Sequence, residues 1–435
     1  MYHPSRDRSD PPKVYQDRAT IAPSAALDGD IRTDVAIVGG GITGSSAALH
    51  LAESGISAIV LEARQAGWGA SGRAFGQVVP YLKHDTTDIL RHYGTERGRR
   101  IADAVGDGPS RVAGIIERYN IACDLHRTGL IFGGRAPSGE NTLRQRADYW
   151  QQRGAAVTLL EGKSAEAAVG SRYYKVALLD ERGIHLNPFA YTNGLAQAAQ
   201  ALGAKFFTGA TVQSLRHENG LWVLTIGPHT VRADAVILAT NAYSDRLWPG
   251  LADSIVPMRG HGMVSGTLSD NLRRSILPGG QALTDTRLLF SGVRILPDGR
   301  LHASLDGPAF GPEAGGHVAK LNRRLALLYP QLGQLRWEAA WSGFIALTPD
   351  QFPRVHVLAP RLFAGLGYSG RGIAAATMIG AELAARVQGV DDQDLVFPAT
   401  PLQPITGRRF AEVSIATLLN WYRIQDARNE RRHRS

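Results

Sequence analysis

A glycine-rich turn between an apolar strand and a helix constrains this chain more than any other feature of its sequence. Residues 39–44, GGGITG, contain the spacing G-x-G-x-x-G. They follow the apolar run 34–38, and apolar spacing predicts a helix over Ile42–Glu53 and a second strand over Ala58–Leu61. In such a β–α–β unit the glycines allow a tight turn and bring the backbone close to a pyrophosphate at the helix N-terminus. The turn therefore predicts a dinucleotide site.

The residues that follow this unit favour FAD over NAD. Glu62 closes the second strand at the spacing where a carboxylate accepts hydrogen bonds from the hydroxyls of a ribose. Its negative charge disfavours the 2′-phosphate of NADP. Residues 63–73, ARQAGWGASGR, then form a glycine- and serine-rich loop that is placed to extend along a longer ligand toward an isoalloxazine ring. Taken alone, the same segment is also compatible with an ordinary surface loop.

Further along the chain, the spacing of apolar residues predicts a helical layer and then a return to short strands. The helical segments are 87–119, broken at 106–109, then 141–153 and 187–202. Short apolar runs predict strands over 204–207, 211–215, 222–226 and 235–239. A strand over 363–365 ends in a glycine-rich turn, and 373–387 predicts a buried helix that is too short to cross a bilayer.

Two other segments carry clear local signals. Pro297-Asp298-Gly299 separates the alternating runs 287–296 and 300–305 and predicts a β-hairpin in a second sheet. The residues before about Arg32 have no apolar periodicity, so we predict an arm that lies on the surface or is disordered.

Composition excludes several classes of protein. The single cysteine, Cys123, rules out a disulfide framework, an all-cysteine zinc site and a cysteine-ligated iron–sulfur cluster, so we predict no metal and a reducing cytoplasm. The polar start of the chain lacks the apolar core of a secretory signal. The formal net charge of +9 is scattered, apart from a basic tail beyond Arg408. We therefore predict no nucleic-acid partner and no membrane span, and favour attraction of an anionic substrate.

The chain resembles a known family over most of its length. The run 34–77, with GWGASGR followed by Gly76-Gln77, is similar to the amino-acid oxidase (DAO) superfamily of flavoproteins, and within it to the γ-glutamylputrescine oxidoreductase branch. The resemblance continues through 180–195 (DERGIHLNPFAYTNGL), 236–248 (VILATNAYSDRLW) and 341–380, in the order of the family.

This resemblance implies a two-domain α/β (α+β) fold, with a Rossmann-like FAD-binding domain and a discontinuous substrate domain of an antiparallel sheet plus helices. The predicted ranges are an N-terminal arm (1–30), the FAD-binding domain in three parts (31–86, 166–255 and 339–390), the substrate domain in two parts (87–165 and 256–338), and a C-terminal extension (391–435).

The resemblance also implies non-covalent FAD and a set of contacts to it. Those to the pyrophosphate, ribose, loop and adenine involve Gly39, Gly41, Ile42, Thr43, Gly44, Glu62, Ala63, Arg64, Ala70, Ser71, Gly76, Gln77 and Val212. A C-terminal turn is expected beside the pyrimidine end of the flavin, where negative charge develops on reduction. That turn consists of Gly367, Tyr368, Ser369, Gly370, Arg371, Gly372 and Ile373.

Departures from related enzymes inform the choice of substrate. Sarcosine oxidases tether the flavin to a cysteine where this chain has Gly343. Glycine oxidase has a carboxylate-binding arginine at Ile345, and sarcosine oxidase a lysine at Ala374. Because a bidentate arginine is the usual way to hold a carboxylate, its absence favours an amine without a carboxylate beside the reacting carbon. A γ-glutamylated polyamine fits, with Arg73, Arg259 or Arg294 as candidates for its distant carboxylate.

The expected activity is oxidation of a C–N bond, with hydride transfer to flavin N5 and an imine that water hydrolyses to an aldehyde. The partners are a small-molecule amine and O2 or another electron acceptor. No general base is assigned. Candidates for a catalytic contact are His302, Tyr368 and Arg371, although we favour a histidine on an exposed strand for His302. Trp341 and Tyr368 are as compatible with pocket walls as with plain core.

Two other functions remain open. The first is a glycine, sarcosine, D-amino-acid or other secondary-amine oxidase or dehydrogenase of the same superfamily. The second, of another class, is a flavin-fold binding protein in which FAD is structural and the basic tail meets nucleic acid.

Overall fold

A computed structural model describes residues 9–287, 291–308, 317–408 and the separate positions 417, 421 and 425. Most of the basic tail therefore lies outside the described residues. No helix in the described ranges is long and apolar enough to span a membrane. The helices are α1 (Lys13–Gln16), α2 (Ile42–Glu53), α3 (Thr86–Tyr93), α4 (Thr95–Gly106), α5 (Gly108–Arg118), α6 (Ala136–Gln151), α7 (Lys163–Val169), α8 (Pro188–Ala201), α9 (Asp270–Ser275), α10 (Val318–Leu328) and α11 (Gly372–Val387).

The first of two large sheets contains the β–α–β unit. Its strands are β1 (Ile31–Val38), β2 (Ala58–Leu61), β8 (Lys205–Phe207), β9 (Ser214–Glu218), β10 (Leu221–Ile226), β11 (His229–Leu238), β17 (Arg354–Ala359) and β18 (Leu362–Leu366). They run in the order β17-β18-β11-β1-β2-β8, and β10 joins β11 to β9. Strand β1 pairs in parallel with both β2 and β11. Other elements of the protein cover both faces of β1, so its residues 35–38 form an unbroken apolar run.

The second sheet is antiparallel except for one parallel pair, β4 with β13. Its order is β16-β12-β15-β14-β13-β4-β6-β5. The strands are β4 (Leu130–Gly134), β5 (Val157–Glu161), β6 (Val176–Asp180), β12 (Val256–Thr267), β13 (Ala282–Asp285), β14 (Ser291–Ile295), β15 (Arg300–Pro308) and β16 (Trp337–Leu347). A small sheet pairs β3 (Gln77–Val78) with β7 (Ile184–His185).

These two large sheets confirm the mixed α/β fold and most of the expected elements. The predicted hairpin is present, since β14 and β15 pair on either side of residues 297–299. Part of its first arm, 288–290, lies outside the described residues. Strand β6 and most of β16, which belong to the second sheet, fall in ranges assigned to the FAD-binding domain. The reason is that β6 pairs with β4 and β16 pairs with β12, and these long-range pairings leave no local sequence signal.

Residues 16–30 lie mostly on the surface, as predicted for the N-terminal arm, but the prediction is wrong for Pro11, Pro12, Val14 and Tyr15, which are buried. Helix α1 buries Val14 and Tyr15 against the rest of the protein. The Tyr15 hydroxyl contacts Nδ1 of His302 at 3.2 Å and donates to the carbonyl of Ala74 at 3.2 Å. The side-chain amide of Asn187 donates to the backbone carbonyl of Tyr15 at 2.9 Å. Because two adjacent apolar residues in a polar segment show no periodicity, this anchor could not be predicted from the sequence.

A close contact between α2 and α11 brings the first and last thirds of the chain together. A Cβ atom on Gly380 of α11 would lie 2.6 Å from the carbonyl oxygen of Thr43 and 2.7 Å from Cβ of Ser46. The Ser46 hydroxyl donates to the carbonyl of Thr377 at 2.7 Å. Glycine at position 380 therefore allows the two helix backbones to approach each other directly.

Replacing this glycine tests the contact. We expect Gly380→Ala to lower the free energy of unfolding by about 1–3 kcal/mol, because the new methyl group must push the backbone of α2 away. A matched control is Gly114→Ala, since Gly114 also lies inside a helix but has no atom within 4 Å of a Cβ built there. That change should raise the free energy of unfolding by roughly 0.5–1 kcal/mol through helix propensity. Urea unfolding measures both, and equal shifts for the two variants would contradict the packing described.

Candidate active site

A long cavity of about 800 Å³ runs from the carboxyl ends of β1 and β2 to the face of the second sheet. Its size lies within the range of sites that bind small molecules and cofactors, about 300–1,000 Å³. The carboxyl ends of neighbouring parallel strands form one edge, which is where open α/β sheets bind nucleotides.

Glu62 organises the nucleotide end of this cavity. One carboxylate oxygen accepts the backbone N–H of Gly40 at 2.7 Å, and the other accepts that of Arg64 at 2.8 Å. Burial raises the pKa of the Glu62 carboxyl, and these two donors oppose the rise because they favour the charged form. The carboxylate thus fixes both the glycine turn and the start of the following loop while bordering the cavity.

The glycine turn leaves space where side chains would intrude. Gly39 has a φ of 107°, and a Cβ there would lie 2.9 Å from the carbonyl oxygen of Ala239. A Cβ on Gly41 would lie 2.9 Å from the Ser71 hydroxyl oxygen, which accepts the N–H of Ile42 at 3.0 Å. The N-terminus of α2 therefore presents backbone donors and a hydroxyl to the cavity, a donor set that suits a pyrophosphate.

Almost all the residues to which the sequence assigned FAD contacts border this one cavity. The exceptions are Gly44 and Gly367. A Cβ on Gly44 would lie 1.9 Å from the carbonyl oxygen of Gly39, so Gly44 closes the turn from behind. Gly367 donates its N–H to the side-chain oxygen of Asn241 at 3.0 Å. The cradle at 39–44, the carboxylate at position 62 and the loop at 63–77 together fit the adenosine and pyrophosphate of FAD.

The C-terminal turn reaches the same cavity from the start of α11. The Tyr368 hydroxyl lies 2.6 Å from that of Thr43, which joins this turn to α2. Burial raises the pKa of Tyr368, so its hydroxyl keeps its proton. Backbone from Gly370 to Ile373 borders the cavity at the helix N-terminus. The N-terminus of a helix favours negative charge, which agrees with the expectation that the pyrimidine end of a flavin lies here.

Sequence reasoning missed a further segment of the lining. It follows β11 and contributes Thr240, Asn241, Tyr243, Asp245 and Leu247. Because β11 lies parallel to β1 in the sheet, its carboxyl end opens onto the same edge as the glycine turn. The predicted strand at 235–239 was the signal that could have located it.

Strand β15 forms the opposite wall with three polar side chains on one face. His302, Ser304 and Asp306 alternate along the strand and border the cavity, while Leu301 and Ala303 are buried in the core on the other side. The alternation of a strand places residues two apart on the same face. Applied to the predicted run 300–305, this rule would have found Ser304, and its extension would have found Asp306.

The interpretation of His302 as a histidine on an exposed strand is wrong. Its side chain is fully buried and packs 5.0 Å from the Trp341 ring, between ring centroids. Arg294 lies behind it, with Nε 3.5 Å from Nδ1 of His302. Burial and the charge of Arg294 hold the pKa of His302 well below its usual value, so the ring is neutral. Nδ1 faces both the Arg294 donor and the Tyr15 hydroxyl, whereas Nε2 has no hydrogen-bond partner among the described residues.

The three arginines suggested for a carboxylate are placed differently from one another. Arg73 borders the cavity, but its guanidinium donates to the carbonyls of Trp68 at 3.0 Å and Ser342 at 3.1 Å. Arg294 donates to the carbonyl of Leu186 at 3.0 Å and lies behind the lining. Arg259 packs over the Phe344 ring, 5.1 Å from its centroid, and does not border the cavity. The cavity instead contains Lys83 and Arg371.

The positions that depart from related enzymes are also informative. Gly343 and Ile345 both border the cavity, and a Cβ on Gly343 would lie 3.2 Å from Cβ of Arg73. Cys123 is buried in the core and does not border it. Ala374 faces α5 instead, with its Cβ 3.0 Å from a Cβ built on Gly108. Trp341 is not part of the lining either; it packs behind it and donates to the carbonyl of Arg73 at 3.0 Å.

Comparisons with known proteins agree with this geometry. The family model described as FAD dependent oxidoreductase (DAO) matches residues 34–386. The chain belongs to this family of flavoproteins. It is 31% identical over 409 residues to γ-glutamylputrescine oxidoreductase of Escherichia coli K12, covering 93% of this chain and 95% of that protein. It is also 26% identical to glycine oxidase of Geobacillus kaustophilus, covering 82% and 93% of the two chains.

A solved structure confirms the fold of this FAD-dependent oxidoreductase. The crystal structure of glycine oxidase from Geobacillus kaustophilus superposes with a TM-score of 0.71 at 24% identity, covering 86% of this chain and 98% of that one. As a member of the family, the protein uses FAD and acts on C–N bonds of amines or amino acids.

Glu62→Gln tests the assignment of the nucleotide end. We expect the Kd for FAD to rise about 10- to 100-fold, because the amide NH2 would face one of the two backbone N–H donors and the ribose would lose a charged acceptor. Titration of apoprotein with FAD, followed by flavin fluorescence, measures the change. Glu218→Gln, an exposed substitution on β9, should leave the Kd at its original value. Equal affinities for both variants would contradict a role for Glu62 in holding FAD.

Proposed function

We propose that this protein oxidises the terminal C–N bond of γ-glutamylputrescine or a closely similar γ-glutamylated amine. The observation that carries the proposal is the match to γ-glutamylputrescine oxidoreductase, which extends over nearly the whole length of both chains. The cavity adds independent support, because its lining lacks the arginine that would hold an α-carboxylate at the position of Ile345.

When bound, FAD supplies the hydride acceptor of the reaction. The protein's own residues orient the amine and exclude water. Apolar side chains of Met258, Phe344 and Ile345 border the cavity beside the second sheet. A low-dielectric surrounding of this kind favours the neutral amine over the ammonium ion, and a neutral amine can lose hydride from the adjacent carbon without a strong base. The resulting imine adds water to give an aldehyde and ammonia.

Neutral His302 is the polar group that we assign to the reacting end. We place the single proton of the neutral ring on Nε2, where it can donate a hydrogen bond. The ring adds no positive charge, because burial and the charge of Arg294 keep it neutral. Tyr15 and Arg294 fix the orientation of the ring from behind. They are positioning residues, and the N-terminal segment is therefore part of the site.

A glycine-oxidase-like activity is the alternative that a specific observation favours, namely the match to glycine oxidase. Against it, the position at which glycine oxidase has its carboxylate-binding arginine is Ile345 in this chain. A structural role for FAD, with a basic tail on nucleic acid, is the remaining alternative. Non-covalent FAD, a cytoplasmic location and O2 or another acceptor remain predictions of the sequence.

The test is a set of amines mixed anaerobically with the purified holoprotein while the visible band of the flavin is followed. We expect γ-glutamylputrescine to bleach the band much faster than putrescine, sarcosine, glycine or D-alanine. Admission of air then separates an oxidase from a dehydrogenase, and denaturation should release free FAD.

Other outcomes of this experiment would overturn the proposal. Fast bleaching by glycine or sarcosine, with γ-glutamylputrescine inert, would establish an amino-acid or secondary-amine oxidase. A flavin that no amine reduces, together with tight salt-sensitive binding to DNA, would favour the structural role of FAD.

A further inference from the structure

Three charged side chains from separate elements lie close enough to influence one another's pKa. Lys83 follows β3, Asp306 lies near the end of β15, and Arg371 precedes α11, and all three border the cavity. Within the described residues, neither Lys83 nor Arg371 makes a side-chain hydrogen bond or an ion pair. The Arg371 guanidinium has one ring contact, 5.9 Å from the centroid of Phe132.

Two neighbouring arginines, in contrast, each form an ion pair. Arg146 pairs with Asp85 at 2.5 Å, and Arg182 pairs with Asp180 at 2.7 Å. Lys83 is exposed, yet the protein atoms around it and, next, the charge of Arg371 lower its pKa. Burial also lowers the pKa of Arg371, to about 10. Two cations and one carboxylate that border one cavity leave positive charge for an anionic ligand group.

A second polar group lies between this cluster and His302. The Ser304 hydroxyl is buried, borders the cavity and has no hydrogen-bond partner among the described residues. A buried hydroxyl without a partner costs free energy, on the order of 1–3 kcal/mol, unless a ligand or water satisfies it. The position between His302 and Asp306 therefore suits a polar group in the middle of an elongated ligand.

We propose that Lys83 and Arg371 bind the carboxylate, and Asp306 the ammonium group, of an α-amino-acid head group, while Ser304 binds an amide in the middle of the same substrate. This inference rests on the proposed function and names how the γ-glutamyl group is recognised. The far end of the substrate, with the reacting carbon, then lies beside His302.

The dimensions of β15 agree with this assignment. From residue 302 to residue 306 the strand advances by about 13 Å, at roughly 3.3 Å per residue. In extended γ-glutamylputrescine, eight bonds separate the α-carbon from the carbon that bears the terminal amine, a span of about 10 Å. Its amide lies near the middle of that span. The strand thus presents a charged group, a hydroxyl and a neutral imidazole at the spacing of the head, the amide and the amine.

The decisive quantity is the ratio of kcat/KM for γ-glutamylputrescine to that for N-acetylputrescine, which keeps the amide and the amine but lacks the head group. We expect the original protein to prefer γ-glutamylputrescine. Lys83→Met should lower this ratio about 10- to 100-fold, because it removes one charged hydrogen bond to the head group. Asp306→Asn should lower it in the same direction.

Two further variants serve as controls for that ratio. Lys205→Met, an exposed substitution on β8, should keep the original ratio. Ser304→Ala should reduce kcat/KM for both substrates by similar factors, since both contain the amide. The flavin absorbance of each variant shows whether it folds and binds FAD.

Binding of γ-glutamyl-n-butylamide, which has no terminal amine to oxidise, separates this inference from the proposed function. Calorimetry should show binding to the original holoprotein. For Lys83→Met the Kd should be about 10- to 100-fold higher, as expected for the loss of one charged hydrogen bond. That result supports the head-group site even if no amine reduces the flavin. No binding, or a Lys83→Met variant that lowers kcat/KM equally for both substrates, would overturn the site while leaving amine oxidation intact.

Discussion

The direct packing of α2 on α11 is the constraint on which the rest of this site depends. It sets the N-termini of two helices, one from each end of the sequence, against the same cavity. The hydrogen bond between Thr43 and Tyr368 holds these ends together at 2.6 Å. Since helix N-termini stabilise negative charge, one end suits a pyrophosphate and the other suits the charge that develops on a reduced flavin.

The second sheet has a complementary role, because it supplies the wall that faces these helix ends. Strand β15 places His302, Ser304 and Asp306 along the cavity, and β16 adds the small or apolar Gly343 and Ile345. The nucleotide end of the cavity therefore suits the cofactor, and the wall formed by β15 and β16 is the part that faces it.

The sequence predicted the nucleotide half of the site far better than the substrate half. Residues 39–62 form a local β–α–β unit, so its glycine spacing and its terminal carboxylate can be recognised within one short stretch of sequence. Lys83, Asp306 and Arg371 lie far apart in sequence, and only the assembled sheets bring them together. Tyr15 was missed for the same reason, since its partners are 59 and 287 residues away. The exposed position expected for His302 was wrong because β15 is central in its sheet.

The most direct test of this account is a crystal structure of the holoprotein with γ-glutamyl-n-butylamide bound. The account predicts ribose hydroxyls within hydrogen-bond distance of the Glu62 carboxylate, the ligand carboxylate between Lys83 and Arg371, and the ligand amide at the Ser304 hydroxyl. A ligand carboxylate bound instead by Arg73 or Arg294, or a ligand outside the cavity, would contradict it.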